Sequence, residues 1–146
     1  MVGANNTIYN KISLITLLVI ILVTPNVLAK GLDINVNPIM TSVYSNSSAS
    51  YEVIITNNYN FPVDISLTFP DLNWVGHTEP LKDYRMTLDK DETKVTKVLY
   101  RPQLNIPPGP YSVRMVVRDY TNDKSYNFDL PAYLRTPERD IDYVPS

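Results

Sequence analysis

Cysteine is missing from all 146 residues. Its absence removes thiol chemistry and thiolate metal sites, and in an exported chain it excludes the disulfide-dense class of small domains. Histidine occurs once, at His77, and there is no Gly-x-Ser-x-Gly elbow, so the parts of a nucleophile and base pair are not supplied. Lys and Arg nowhere cluster with aromatics, which argues against nucleic acid as a partner. The apolar run "ISLITLLVIILV", Ile12 to Val23, has only 12 residues, against the roughly 20 needed to span a bilayer. After residue 30 no 3.6-residue apolar period persists, so helices are not expected there.

That short run is informative in its own right. Lys11 precedes it, Pro25 closes it, and Val27-Leu28-Ala29 puts small or compact residues where a signal peptidase reads. Residues 1–29 are therefore predicted to be a signal helix cleaved after Ala29, with an uncleaved anchor running to Leu28 as the alternative. Both readings place the rest of the chain outside the cytoplasm, and only the uncleaved form would touch a membrane. Cleavage leaves 146 minus 29, or 117 residues, enough to bury about two thirds of the unfolded surface without a disulfide. That part keeps all 15 acids and loses only Lys11 of the 13 bases, giving a net charge near −3 (12 minus 15).

What remains is a series of short alternating segments. "DINVNP" (Asp33 to Pro38) reads as an edge strand stopped by proline. "SYEVIITN" (Ser50 to Asn57) alternates Tyr51, Val53 and Ile55 against Glu52, Ile54 and Thr56. After "NNYN", "FPVDISLTF" puts Val63, Ile65, Leu67 and Phe69 on one face, and the two runs around an Asn-rich turn predict a hairpin. "YRMTLD" (84–89), "TKVTKVLYRP" (93–102) with a bulge expected near Val98 and Leu99, "YSVRMVVRD" (111–119) and "SYNFDLPAYL" (125–134) complete the set. Seven short strands in about 100 residues give the expected fold class: an all-β, antiparallel, immunoglobulin- or fibronectin-like sandwich over residues 31–135.

The stretch "RPQLNIPPGPYSVRMVVRD", Arg101 to Asp119, holds four of the 12 prolines directly before a strict alternation. Pro107 and Pro108 stiffen a crossing between sheets, and Gly109 permits a φ that other residues resist. Tyr111 then stands where such sandwiches place a tyrosine corner, with its hydroxyl bonded back to the loop just left.

The segments "YEVIITNNYNFPVDISL" (Tyr51 to Leu67) and "PPGPYSVRMVV" (Pro107 to Val117) together resemble the extracytoplasmic immunoglobulin-like modules known as alpha-galactosidase-associated or NEW3-type domains of archaea and bacteria. The resemblance covers roughly Gly31 to Tyr133. It implies a non-catalytic module serving as spacer, adhesion unit or appendage of surface proteins. The pattern departs at Asn58-Tyr59-Asn60, where the family usually has glycine, so asparagine is expected to take any positive φ there. "LDINVNP" (Leu32 to Pro38) and "RDIDYVP" (Arg139 to Pro145) match in pattern, so the tail, 136–146, reads as the start of a second repeat.

Chemistry is sparse. Asp89, Asp91 and Glu92 form the densest acidic run but lack the glycine and spacing of a calcium loop. No catalytic, cofactor or metal residues are expected. Trp74, the only tryptophan, sits in a segment read as irregular with His77, Tyr84 and Arg85, a group able to stack on a sugar or anchor a protein. Asn46-Ser47-Ser48 is an N-glycosylation acceptor pattern. Three functions are in play: an envelope module that binds other envelope proteins, a carbohydrate-binding accessory using Trp74 and its neighbours on surface glycans, and a strand-donating chaperone. The last class normally has two domains and a basic cleft. An exposed Trp74 favours the carbohydrate binder and a buried one the envelope module. The edge strands "DINVNP" and "SYNFDLPAYL" are further places for a partner strand.

Overall fold

Nine strands and one short 3-10 turn make up residues 31–137, the part described by the computed structural model. The N-terminal segment 1–29 and residues 138–146 of the tail lie outside the described residues, and so does the expected signal helix. The strands are β1 (Leu32–Met40), β2 (Ser42–Val43), β3 (Ala49–Asn57), β4 (Val63–Thr68), β5 (Trp74–Glu79), β6 (Arg85–Leu88), β7 (Thr93–Pro102), β8 (Gly109–Asp119) and β9 (Lys124–Leu134), with the 3-10 turn η1 (Leu81–Tyr84) between β5 and β6. They form two sheets, in the orders β1-β3-β7-β5 and β2-β9-β8-β4-β6. Among the described residues no helix is long and apolar enough to cross a membrane.

Period-2 patterning built these strands. Tyr51, Val53 and Ile55 of β3 face Val63, Ile65 and Leu67 of β4 and Val113, Met115 and Val117 of β8 across a closed core. The all-β sandwich is thus as the alternation predicts, but the count is nine strands, not seven. The two additional strands carry weak signals. β2 is two residues long, and β5 turns Trp74, Gly76 and Thr78 inward, a set too mixed in size and polarity to read as a hydrophobic face.

The predicted hairpin between β3 and β4 does not form. β3 pairs with β1 and β7, whereas β4 pairs with β6 and β8, so the Asn-rich turn carries the chain from one sheet to the other. Nor does asparagine take a positive φ there; positive values occur at Asp91, Asn105, Asp123 and Gly109. Asn57 makes both unnecessary. Its buried side chain accepts from the N–H of Tyr59 at 2.9 Å and donates to the carbonyls of Phe61, Leu88 and Asp89 at 2.9, 3.1 and 3.1 Å. The turn is thereby clipped to the end of β6 in ordinary backbone geometry.

β7 also runs without the expected bulge. Its register to β3 and β5 is unbroken through Val98 and Leu99, and the apparent flaw arises because Thr96 points inward while Val95 is exposed. The register shift lies in β1 instead, between Pro38 and Met40. Of the two predicted edge strands, β1 is one, while the last two residues of β9 pair in parallel with β2.

Two tyrosines tie the sheets together without disulfides. From the first sheet, Tyr51 donates its hydroxyl to the carbonyl of Pro131 on β9 and Tyr100 to that of Arg114 on β8. Burial pushes the Tyr51 hydroxyl up to about 12 and raises Tyr100 further still. Both are therefore neutral in the folded state at pH values where unfolded tyrosine, near 10, has ionised.

Two outcomes are expected. Asn57→Ala leaves four backbone groups without their side-chain partner and lowers unfolding free energy by about 2–4 kcal/mol, read as a lower urea midpoint at unchanged m. Because the tyrosine values are raised by folding, stability is complete below about pH 10 and falls as pH climbs through about 12. Tyr51→Phe flattens that alkaline decline; an unaltered decline would place the hydroxyl outside the core.

Candidate functional site

The four residues singled out around Trp74 are not brought together. Trp74 opens β5, where the carboxylate of Asp71 accepts the N–H of Asn73 at 2.9 Å and of Trp74 at 3.0 Å. Its ring is 0 % exposed and meets Tyr111 edge-on, centroids 5.6 Å apart. Tyr111 in turn donates its hydroxyl to the carbonyl of Pro107, four residues back in the proline-rich crossing. The only tryptophan therefore closes one end of the core and presents no surface. Arg85 is placed elsewhere again: with Arg118 it brackets the Tyr120 ring, at 5.6 and 5.7 Å.

His77 and Tyr84 do share a site. They line a cleft of about 490 Å³ where β5, η1 and β4 meet at one open flank of the sandwich. Leu67 and Phe69 of the β4 segment, Gly76 and Thr78 of β5, and Leu81 and Lys82 of η1 supply the rest of its wall. Leu81 is 69 % exposed and Tyr84 58 %. Large apolar side chains are thus held in water beside an apolar groove.

The groove exists because position 76 is glycine. A Cβ there would stand 2.6 Å from Cβ and Cγ of Phe69 and 2.8 Å from Cε1 of Tyr100, so only glycine admits the Phe69 ring, which meets Tyr100 edge-on at 5.6 Å. The opposite wall is anchored by buried Asp83, whose carboxylate lies 3.6 Å from Lys94. The Thr78 hydroxyl donates to the Leu81 carbonyl at 3.0 Å and fixes η1 against β5.

The backbone of β5 is left incomplete on this side. Asn73 accepts the N–H of Gln103 at 2.8 Å, and in an antiparallel ladder the direction alternates from there. Val75 and His77 consequently point their N–H and C=O groups at β7, while Gly76 and Thr78 point theirs away from it, toward the groove. Among the described residues β5 has no neighbouring strand on that side, being the last of its sheet.

No family model and no curated protein matches this sequence. Solved structures do match. A FixG-related protein from Vibrio parahaemolyticus superposes with a TM-score of 0.59 at 8% identity, over 72% of this chain and 97% of that one. The cupredoxin domain of amoB from Nitrosocaldus yellowstonii gives 0.57 at 6% identity, over 74% and 89%. The E. coli chaperone DraB gives 0.45 at 11% identity, over 72% and 56%. The first two establish a shared all-β sandwich fold and, at such identities, nothing more.

Other polar features of the chain have structural employment. Asp89 and Glu92 close the β6–β7 turn, the Asp89 N–H donating to the Glu92 carboxylate at 2.8 Å. Among the described residues no group of three or more His, Asp or Glu stands close enough to hold a metal. Asn46 lies exposed in the turn closed by the bond from Ser47 N–H to the Tyr44 carbonyl at 3.0 Å. Six of the eight groove residues escaped sequence reasoning. The available signals were a glycine interrupting an alternation at 76 and an apolar residue following Pro80.

Gly76→Ala tests the groove floor. It is expected to displace Phe69 and lower stability by about 1–3 kcal/mol, with a shift in the emission of the nearby Trp74; an unchanged melting temperature would show that the floor is not packed as described.

Proposed function

We propose that this chain is a non-catalytic, extracytoplasmic immunoglobulin-like module, a spacer or assembly unit of the cell envelope that works by contact with other proteins. The observation that carries the reading is the burial of Trp74 beneath Tyr111. A sugar platform needs an exposed aromatic plane, and the chain's one tryptophan is spent on the core. What stays outside is an apolar groove beside an unpaired strand edge, the kind of surface that recognises polypeptide.

The signal-like segment ending at Ala29 agrees with that placement. The likeness of "PPGPYSVRMVV" and "YEVIITNNYNFPVDISL" to NEW3-type modules belongs to the same reading. Carbohydrate binding loses its main support with Trp74 buried, since Tyr84 is left as the exposed aromatic of the four residues singled out.

The test is isolation from the host envelope and medium, followed by mass spectrometry of the chain and of what accompanies it. The expected result is an N-terminus at Lys30, or an intact Met1 in a membrane-bound form, with a reproducible envelope protein copurifying. Recovery from the cytoplasm, or retention on envelope glycans in place of protein, would overturn the proposal.

A further inference from the structure

The groove pairs two unmet demands, an apolar hollow and a sheet edge without a neighbour. A single object meets both: an extended strand whose alternate side chains are apolar. Its backbone would bond to Gly76 and Thr78, and its inward side chains would cover Phe69, Leu81 and Tyr84.

The sequence contains a segment with that pattern. Arg139-Asp140-Ile141-Asp142-Tyr143-Val144-Pro145 repeats the pattern of Leu32-Asp33-Ile34-Asn35-Val36-Asn37-Pro38. In the fold the earlier copy is β1, an edge strand whose Leu32, Ile34 and Val36 lean on the core while the residues between them face water. In the same phase the later copy offers Ile141 and Tyr143 on one side and Asp140 and Asp142 on the other. Charge agrees as well. Lys82 stands in the groove wall and has no carboxylate partner among the described residues, whereas Lys90, Lys94 and Lys97 each have one.

Topology indicates which molecule supplies it. β9 ends at Leu134 beside Gly109 of β8, and β8 and β4 separate it from β6 in the sheet. The chain past Leu134 thus starts from the flank opposite the groove. We propose that the free edge of β5, with the groove beside it, takes residues 139–145 of a second copy as an added strand. Because giver and receiver are different surfaces, each copy both donates and accepts, and the contact runs from copy to copy, closing by reciprocal exchange where its rotation allows and extending head to tail where it does not. The inference rests on the reading of this chain as an assembly module and names its partner.

The experiment uses the protein expressed with its own N-terminal segment and recovered after export. Sedimentation at rising concentration is expected to give masses that rise above the monomer. Leu81→Asp in the groove and Ile141→Asp in the segment are each expected to weaken association by at least tenfold, about 1.4 kcal/mol. As the chain is free of cysteine, mixing a Leu81→Cys chain with a Tyr143→Cys chain should yield the mixed disulfide in preference to either symmetric one. A monomer at every concentration, or association unaffected by Ile141→Asp, overturns the proposal. So does a disulfide formed within one chain when both cysteines are placed in it and the protein is dilute. Such a monomer that still copurifies with an envelope protein would leave the module reading intact and remove only self-pairing.

Discussion

One buried amide governs how this chain passes between its sheets. Asn57 ends β3 in one sheet, and its side chain holds the approach to β4 and the end of β6 in the other. Its own backbone joins the same knot, with its N–H donating to the Glu92 carbonyl and its carbonyl accepting from Asp91. An amide fully removed from water must have its donors and acceptors met, and here they are met only if three segments converge. The start of β4, the position of β6 and the turn into β7 follow from that convergence. The groove depends on it in turn, because β6 fixes where η1 must lie.

Tyrosine does here the work that a disulfide does in many other sandwiches. Each hydroxyl that crosses the core to a carbonyl of the opposing sheet adds about 1 kcal/mol net, while burying its ring is worth about 2–3. The hydroxyl's larger contribution is register, since a strand slipped by one residue would turn the ring to solvent. Tyr111 applies the same device at the end of the core, held by the Pro107 carbonyl and capping Trp74. The proline-rich crossing that looked like a stiff corner is thus also the support for the lid over the tryptophan.

The alternation of Tyr51, Val53 and Ile55, or of Val113, Met115 and Val117, is legible because it reports burial, a property of one strand alone. Pairing is not, because it belongs to two. β3 and β4 look like a hairpin by sequence proximity, yet each finds its partners elsewhere, the same core lying between them. β5 reads as irregular because Gly76 and Thr78 do not resemble core residues; Gly76 fits inward because Phe69 and Tyr100 already fill the space a side chain would need. For the same reason the grouping of His77 and Tyr84 with Leu81 and Lys82 is not legible in the sequence, since it needs the flank that β5, η1 and β4 form together.

The sequence by itself determined the strand class, the inward faces, the stiff crossing before Tyr111 and the lack of thiol chemistry, all of which depend on residue type and local period. Tertiary structure decided that Trp74 is core and not surface, that Asn57 and not a glycine makes the crossing turn, and that β5 is left with an open edge beside an apolar groove. Those features arise where residues distant in the chain compete for one space. A linear pattern records what each residue prefers, and only packing settles which preference prevails.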